Sequence, residues 1–88
     1  MDEQTFIKLA KRSVKEYVNA NLDITDGKRV SEKDIYIVWQ CKTLQNNKAL
    51  LSTTLPDGMY YECTFNGDKN EMYVDAYKKW ENFVVHID

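Results

Sequence analysis

The sequence predicts an α+β fold in which an N-terminal helix packs on a four-stranded antiparallel meander. Three observations predict it: an amphipathic stretch near the N-terminus, four strand-like runs after it, and short polar separators between those runs. Separators this short force neighbouring strands to be antiparallel. The 88 residues, of which 43% are hydrophobic and 30% charged, suit one domain over residues 1–88 with a single modest core.

The first predicted element is a helix over residues 2–22, which Asp2 is suited to cap. Apolar residues recur there at intervals of three and four, which places them on one helical face. That face consists of Phe6, Leu9, Ala10, Ser13, Val14 and Tyr17. A loop is predicted over residues 23–30, and residues 31–34 resemble a capping box with room for one helical turn.

Four strand-like runs follow at residues 35–43, 49–55, 59–65 and 71–77. Residues that favour turns separate them, namely Gln45-Asn46-Asn47, Pro56-Asp57-Gly58 and Asn66-Gly67-Asp68. The last stretch of the chain also fits helical spacing. We therefore predict a short C-terminal helical turn over residues 78–82, followed by an extended tail.

Pairing the strands about these turns predicts one buried face. The predicted partners are Cys41 with Leu51, Trp39 with Thr53, Leu51 with Cys63, Thr53 with Tyr61, Tyr61 with Met72 and Met59 with Val74. The face beneath the helix then carries Ile35, Ile37, Trp39, Cys41, Leu51, Leu55, Met59, Tyr61, Cys63, Phe65, Met72 and Val74. Agreement of the three turns on one parity is what a single buried face requires. The resulting outline is cystatin-like, which is a comparison of shape and carries no function.

The two cysteines are predicted to be reduced core residues. The register separates Cys41 from Cys63 by two strand spacings, about 9.5 Å, whereas a disulfide needs Cα atoms within roughly 7 Å. His86 is the only histidine, so a zinc site lacks ligands and no cofactor is expected. A nucleophilic pair of His86 with one of the thiols is the enzymatic alternative.

The far face of the predicted sheet is rich in tyrosine and is the predicted partner-binding surface. Tyrosine offers a large, rigid contact area with a polar tip and is enriched at interfaces. The predicted binding residues are Tyr36, Lys42, Tyr60, Tyr73 and Tyr77, and the same face should carry Val38, Gln40, Leu50, Ser52, Glu62, Thr64 and Asp75. Tyrosine also pairs well across strands, so a purely structural role stays open.

A basic stripe lies on the predicted helix opposite its apolar face, formed by Lys8, Lys11, Arg12 and Lys15. A helix that faces the core needs a solvated side, and the same stripe would suit contact with phosphate or an acidic protein surface. Together with the tyrosines it would suit weak binding of single-stranded nucleic acid by base stacking. The net charge of −2 gives no bias toward nucleic acid.

Part of the sequence is similar to a known family. Its specific part is Trp39-Gln40-Cys41-Lys42-Thr43-Leu44-Gln45-Asn46-Asn47-Lys48-Ala49-Leu50-Leu51, followed by Gly58-Met59-Tyr60-Tyr61-Glu62 and Asn66-Gly67-Asp68-Lys69. These segments resemble small uncharacterised proteins encoded by bacteriophages and prophages of Gram-positive bacteria. The resemblance covers most of the chain and implies a phage gene product in the bacterial cytoplasm. It brings no assigned activity and no catalytic residues.

The chain is expected to act in the cytoplasm, with no membrane partner. No apolar run approaches the roughly 20 residues that span a bilayer, and the first four residues are polar, unlike a secretion signal. The leading hypothesis is a non-enzymatic accessory protein that binds a host or phage protein through the tyrosine-rich face, with a homodimer also compatible. The alternatives are a weak single-stranded nucleic-acid binder and an enzyme that uses Cys41 or Cys63.

Overall fold

A computed structural model describes residues 1–22, 29–43 and 46–88, and in them one helix packs on one sheet. The helix, α1, runs Glu3–Asn21, and the strands are β1 (Ile35–Thr43), β2 (Asn46–Thr53), β3 (Met59–Asn66) and β4 (Glu71–Lys78). All four strands are antiparallel, in the order β1-β2-β3-β4. The predicted fold class is confirmed, while residues 23–28 of the predicted loop and the turn residue Gln45 lie outside the described residues.

Helix α1 buries one residue per turn against the sheet, namely Phe6, Ala10, Val14 and Val18. This spacing of four keeps the buried side chains on one face. The Asp2 side chain accepts a hydrogen bond of 2.7 Å from the Thr5 N–H and so caps the helix, as predicted. Tyr17 lies at the edge of the buried stripe, where its ring meets the ring of Tyr61 edge-on at 5.8 Å.

Two local hydrogen-bonded groups fix how the chain enters the sheet. The Asn19 side chain accepts from the Val30 N–H at 2.8 Å and donates to the Val30 carbonyl at 3.0 Å. The Asp34 carboxylate accepts from the Ser31 N–H at 2.9 Å, within a single 3-10 turn, Glu32–Asp34. The predicted capping box and its one helical turn are therefore confirmed.

Both described hairpin turns differ from their predicted form. Strand β2 occupies residues 46–53 instead of 49–55. It ends at Thr53 because the Thr54 N–H leaves the ladder and donates to the Asp34 carbonyl at 2.9 Å. In the last hairpin the turn takes four residues, 67–70, and Asn70 adopts a φ of 55°. The Asn66 side chain accepts from the N–H groups of Asp68 and Lys69 and so supports this longer turn.

The longer turns correct the predicted pairing of β2, β3 and β4 but preserve its parity. The observed partners are Leu51 with Tyr61, Ala49 with Cys63, Tyr61 with Ala76, Cys63 with Val74 and Met59 with Lys78. Each observed register differs from the predicted one by an even number of residues. Since side chains alternate along a strand, an even shift leaves the same residues facing the helix.

Strand β1 breaks the predicted parity. Ile37 pairs with Leu51 and Trp39 pairs with Leu50, so Val38 is an extra residue in a β-bulge. Beyond it, Trp39 is 41% exposed and Cys41, paired with Lys48, is also exposed. The prediction that Trp39 and Cys41 lie beneath the helix is wrong, because one inserted residue turns the rest of the strand over.

The predicted C-terminal helical turn is also wrong. Strand β4 continues through Lys78, and the Lys79 N–H extends its ladder by donating to the Gly58 carbonyl at 2.8 Å. Residues 79–88 have no regular secondary structure. We call them the C-terminal tail. They help to raise the radius of gyration to 14.7 Å, above the roughly 12 Å expected for a compact chain of this length.

The two capping carboxylates make stability depend on pH. Hydrogen bonds from Thr5 lower the pKa of Asp2, and hydrogen bonds from Ser31 lower the pKa of Asp34. A lowered folded-state pKa contributes stability above the unfolded pKa of about 3.9, and that stability is lost as pH falls through the folded pKa. We expect the urea midpoint of unfolding to fall as the pH is lowered from 5 to about 2. The fall should be shallower in the Asp34→Asn variant. The same dependence of the midpoint on pH in the variant and in the wild type would contradict the assignment of this effect to Asp34.

Candidate functional site

The side of the sheet opposite α1 is uncovered, and we call it the open face. Its side chains come from alternate positions of the strands, with β1 contributing according to its bulge. The open face consists of Tyr36, Trp39, Cys41, Lys48, Leu50, Ser52, Tyr60, Glu62, Thr64, Tyr73, Asp75 and Tyr77. Contacts of α1 with the other side, such as that between Tyr17 and Tyr61, show which side the helix covers.

Three tyrosines lie in one row across the open face. The register aligns Tyr36, Ser52, Tyr60 and Tyr77 on successive strands. The Ser52 hydroxyl donates to the Met59 carbonyl at 2.8 Å and is buried, so this small side chain is directed at the backbone. Aromatic side chains therefore flank a small, buried residue in this row.

A second row brings Trp39 to the same face. The register aligns Trp39, Leu50, Glu62 and Asp75 on successive strands. Trp39 was predicted to lie in the core, so it is a candidate binding residue that sequence reasoning missed. No glycine or proline marks the bulge at Val38, and the run around it offers no signal that would have revealed it.

Carboxylates outnumber cations on and beside the open face. Lys48 forms an ion pair with Glu62 at 3.3 Å, which leaves the charge of Asp75 on the face and that of Glu71 at its edge. The Tyr73 hydroxyl donates to the Glu71 carboxylate at 2.5 Å, and this hydrogen bond raises the pKa of Tyr73. The open face thus combines aromatic area with a net negative charge.

Lys42 does not belong to the open face, contrary to prediction. It pairs with Asn47, whose side chain is buried on the side of the helix. Gln40 is displaced in the same way, and its side-chain amide donates to the Glu3 carboxylate of α1. The bulge at Val38 moved both residues. Of the five predicted binding residues, the structure brings Tyr36, Tyr60, Tyr73 and Tyr77 together and separates Lys42 from them.

The basic stripe of α1 lies on the opposite side of the molecule from the tyrosines. Lys8 and Arg12 are exposed, while Lys11 and Lys15 are partly covered. Lys15 lies 3.5 Å from the Glu32 carboxylate, so part of its charge is balanced within the chain. The structure therefore does not combine the stripe and the tyrosines in one surface.

The two thiols have different surroundings, and neither forms a disulfide. Cys63 is fully buried and its sulfur lies 4.0 Å from the Ala10 carbonyl oxygen. Burial raises the pKa of Cys63 to about 11. This agrees with its predicted place in the core and is opposite to what a nucleophilic thiolate needs. Cys41 lies on the open face instead of in the predicted core.

The difference between the thiols predicts their reactivity. At pH 8 a thiol with a pKa of 11 carries roughly 200-fold less thiolate than an ordinary one, and burial slows access further. We expect a disulfide reagent to label Cys41 rapidly in the native protein and Cys63 only on unfolding. The Cys41→Ser variant should lose the rapid phase. Rapid labelling in that variant would contradict the burial of Cys63.

Within residues 1–22, 29–43 and 46–88, no three His, Cys, Asp or Glu side chains are grouped so that they could hold a metal ion. In the same residues no helix has the length and apolar character needed to cross a membrane.

Comparison with known protein families gives a match over most of the chain. The model of a family of unknown function, DUF6275, matches residues 7–87. The matched span includes α1 beyond its first turn, all four strands and almost the whole C-terminal tail. No curated protein and no solved structure matches the chain.

Proposed function

The chain belongs to the DUF6275 family, and because that family has no known function we propose one from the open face: a non-enzymatic protein that binds another protein. The observation that carries the proposal is the grouping of Tyr36, Trp39, Tyr60 and Tyr77 on an uncovered sheet. Tyrosine and tryptophan are the residues most often found at the energetic centres of interfaces.

The charges of the open face favour a partner with apolar and basic groups. After Lys48 and Glu62 neutralise each other, the remaining charges at this face are those of Asp75 and Glu71. Complementary charge speeds association and selects among partners more than it raises affinity. A partner that inserts an apolar side chain near Ser52, between the flanking tyrosines, and presents Lys or Arg around it would match both features.

The two alternatives have less support. A single-stranded nucleic-acid binder needs cations beside its aromatic side chains, but Lys42 and the basic stripe lie on the helix side of the sheet. An enzyme that uses a thiolate would have to rely on Cys41, since Cys63 is buried and its pKa is about 11. We therefore propose protein binding without a catalytic step.

The biological setting remains part of the proposal. The similarity of residues 39–51 to small phage and prophage proteins supports an accessory protein that acts on a host or phage protein in the bacterial cytoplasm. The acidic pI of about 5.3 also suits a protein-binding role better than one on nucleic acid.

Substitutions on the open face test this proposal. We expect Tyr36→Ser with Tyr60→Ser to abolish enrichment of a specific protein from bacterial lysate, because each removes aromatic contact area without touching the core. The matched control is Lys8→Ser with Arg12→Ser, which changes exposed side chains on the opposite side. Proteins recovered by each variant would be quantified by mass spectrometry.

Two results would overturn the proposal. One is equal enrichment by the wild type and by the Tyr36 and Tyr60 variant. The other is a shift of labelled single-stranded DNA at low salt that disappears in the Lys8 and Arg12 variant, because that result would assign binding to nucleic acid and to the helix.

A further inference from the structure

At the C-terminal end of the described residues, two neighbouring parts of the chain present unpaired surface. The first is the C-terminal tail, in which Trp80, Phe83, Val84, Val85 and Ile87 are 66–96% exposed. The second is β4, an edge strand that is exposed along most of its length. An exposed edge followed by exposed β-branched and aromatic residues invites pairing with another strand.

The tail and the edge of β4 do not pair with each other within one chain. The tail leaves β4 in the direction of the strand, and a strand pairs with its own continuation only after a tight turn. Residues 79–88 contain no glycine or proline, and their apolar side chains stay exposed instead of folding back onto β4. A second copy of the chain removes this restriction, because it supplies both a free edge and a free tail.

The hydrogen-bonding direction of the tail is set by its first residue. The Lys79 N–H points toward β3, where it donates to the Gly58 carbonyl. Backbone groups alternate sides along a strand, so Trp80 and the other even-numbered residues direct theirs to the outer edge. Those of Val74 and Ala76 in β4 point the same way. Even-numbered residues of β4 and of the tail are therefore the available donors and acceptors.

We propose that the protein forms a homodimer in which β4 and the tail of one copy pair antiparallel with β4 and the tail of the other. Each tail adds to the outer edge of the partner's β4, and the two sheets join into one. A two-fold axis perpendicular to the joined sheet relates the copies, as an isologous antiparallel contact requires.

Symmetry and charge restrict the register, and of the axis positions from Lys78 to Glu81 only one avoids a pair of like charges. Under such an axis a residue and its opposite lie on the same face, so even residues pair with even and odd with odd. An axis at Lys78, Lys79 or Glu81 would place two like charges directly opposite each other, which is destabilising. An axis at Trp80 avoids this and sets Lys79 of each copy opposite Glu81 of the other.

The same register matches apolar side chains on both faces. Its remaining pairs include Tyr77 with Phe83, Tyr73 with Ile87, Ala76 with Val84 and Val74 with His86. Val84 and His86 would cover the half-exposed Val74 on the helix side of β4. Phe83 and Ile87 would extend the aromatic surface beside Tyr77 and Tyr73.

The apolar area suits a stable dimer. An aromatic side chain buries about 150–250 Å², so Trp80 and Phe83 of two copies offer on the order of 600–1,000 Å². Val84, Val85, Ile87 and the paired backbone add to this and bring the total toward the roughly 1,200–2,000 Å² of specific interfaces. The family match extends through residue 87, so the tail belongs to the sequence that defines the family.

The dimer does not depend on the proposed partner. Because the axis is perpendicular to the sheet, both open faces lie on the same side of the joined sheet and stay uncovered. Loss of the dimer would leave Tyr36 and Tyr60 in place, and loss of partner binding through those residues would leave the dimer intact.

Proline substitutions at neighbouring positions test the pairing. The Val84→Pro substitution removes the N–H that would donate to the Ala76 carbonyl of the other copy. Because the dimer is symmetric, it loses two such hydrogen bonds. Two bonds at about 1 kcal/mol each predict a dissociation constant raised about thirtyfold or more. Val85→Pro is the matched control, since it loses the same side chain but an N–H that points away from the partner. Sedimentation equilibrium measures both, and circular dichroism checks folding.

Charge reversal tests the register. Lys79→Glu or Glu81→Lys alone should weaken the dimer about tenfold by placing like charges across both symmetric pairs, and the double variant should restore it. A wild-type chain that stays monomeric at about 100 μM would overturn the proposal, as would equal dimerisation of the two proline variants. Failure of the double reversal to rescue would overturn the axis at Trp80.

Discussion

Replacing Leu51 by Ala is expected to lower the free energy of unfolding by about 2–5 kcal/mol. Leu51 is fully buried at the centre of the sheet, between Ile37 of β1 and Tyr61 of β3. Truncation removes apolar area and leaves a cavity that the surrounding strands can fill only in part. A domain of this size has only about 5–15 kcal/mol of stability in total, so urea unfolding should show a large change.

The adjacent residue provides the control. Leu50 has the same side chain but faces the open side beside Trp39, where it is only partly buried. Leu50→Ala should cost less than about 1 kcal/mol when both variants are unfolded at the same protein concentration. Equal losses at the two positions would mean that β2 does not present alternate faces to helix and solvent.

Replacing Phe6 by Ala is expected to cost about 3–5 kcal/mol. Phe6 is the largest of the fully buried side chains, and it joins the first turn of α1 to the sheet. The helix depends on this contact, because most of the stability of a helix in a protein comes from the packing of its apolar face. Loss of helical circular dichroism should accompany the lowered urea midpoint.

A second phenylalanine serves as the comparison. Phe83 lies in the C-terminal tail and is 73% exposed in the single chain. Phe83→Ala should change the free energy of unfolding by no more than about 0.5 kcal/mol at concentrations where the protein is monomeric. Where the protein is dimeric, Phe83→Ala should also remove the proposed contact with Tyr77 of the other copy. The loss of stability relative to wild type should therefore grow as the protein concentration rises.

Local patterns predicted most of the elements because their causes are local. The spacing of Phe6, Ala10 and Val14 defines a helical face whatever it packs against, and Asp2 caps the helix through a bond to its own first turn. The four-residue turn after Asn66 changed the pairing of β3 with β4 but shifted it by an even number. Alternation therefore still predicted that Tyr60, Tyr73 and Tyr77 lie on one face.

Strand β1 was predicted incorrectly beyond Val38 because the bulge is not a local preference. Beyond Val38 the apolar Trp39 and Cys41 alternate with the polar Gln40 and Lys42, so the local pattern favours burial of Trp39 and Cys41. The choice depends on contacts distant in sequence. Gln40 meets Glu3 of α1, and Lys42 lies opposite the buried Asn47.

The amino-acid pattern is sufficient to predict the α+β class, the order of helix and strands, the parity of β2 to β4 and the burial of Cys63. Each of these follows from spacing within one segment or from the steric rules of short turns. The folded structure was needed to place Trp39 and Cys41 on the open face, to place Lys42 on the other side, and to show that the C-terminal tail continues beyond β4 without forming a further strand. These outcomes depend on contacts between residues that are distant in the sequence. The pattern of residues within one segment does not predict such contacts.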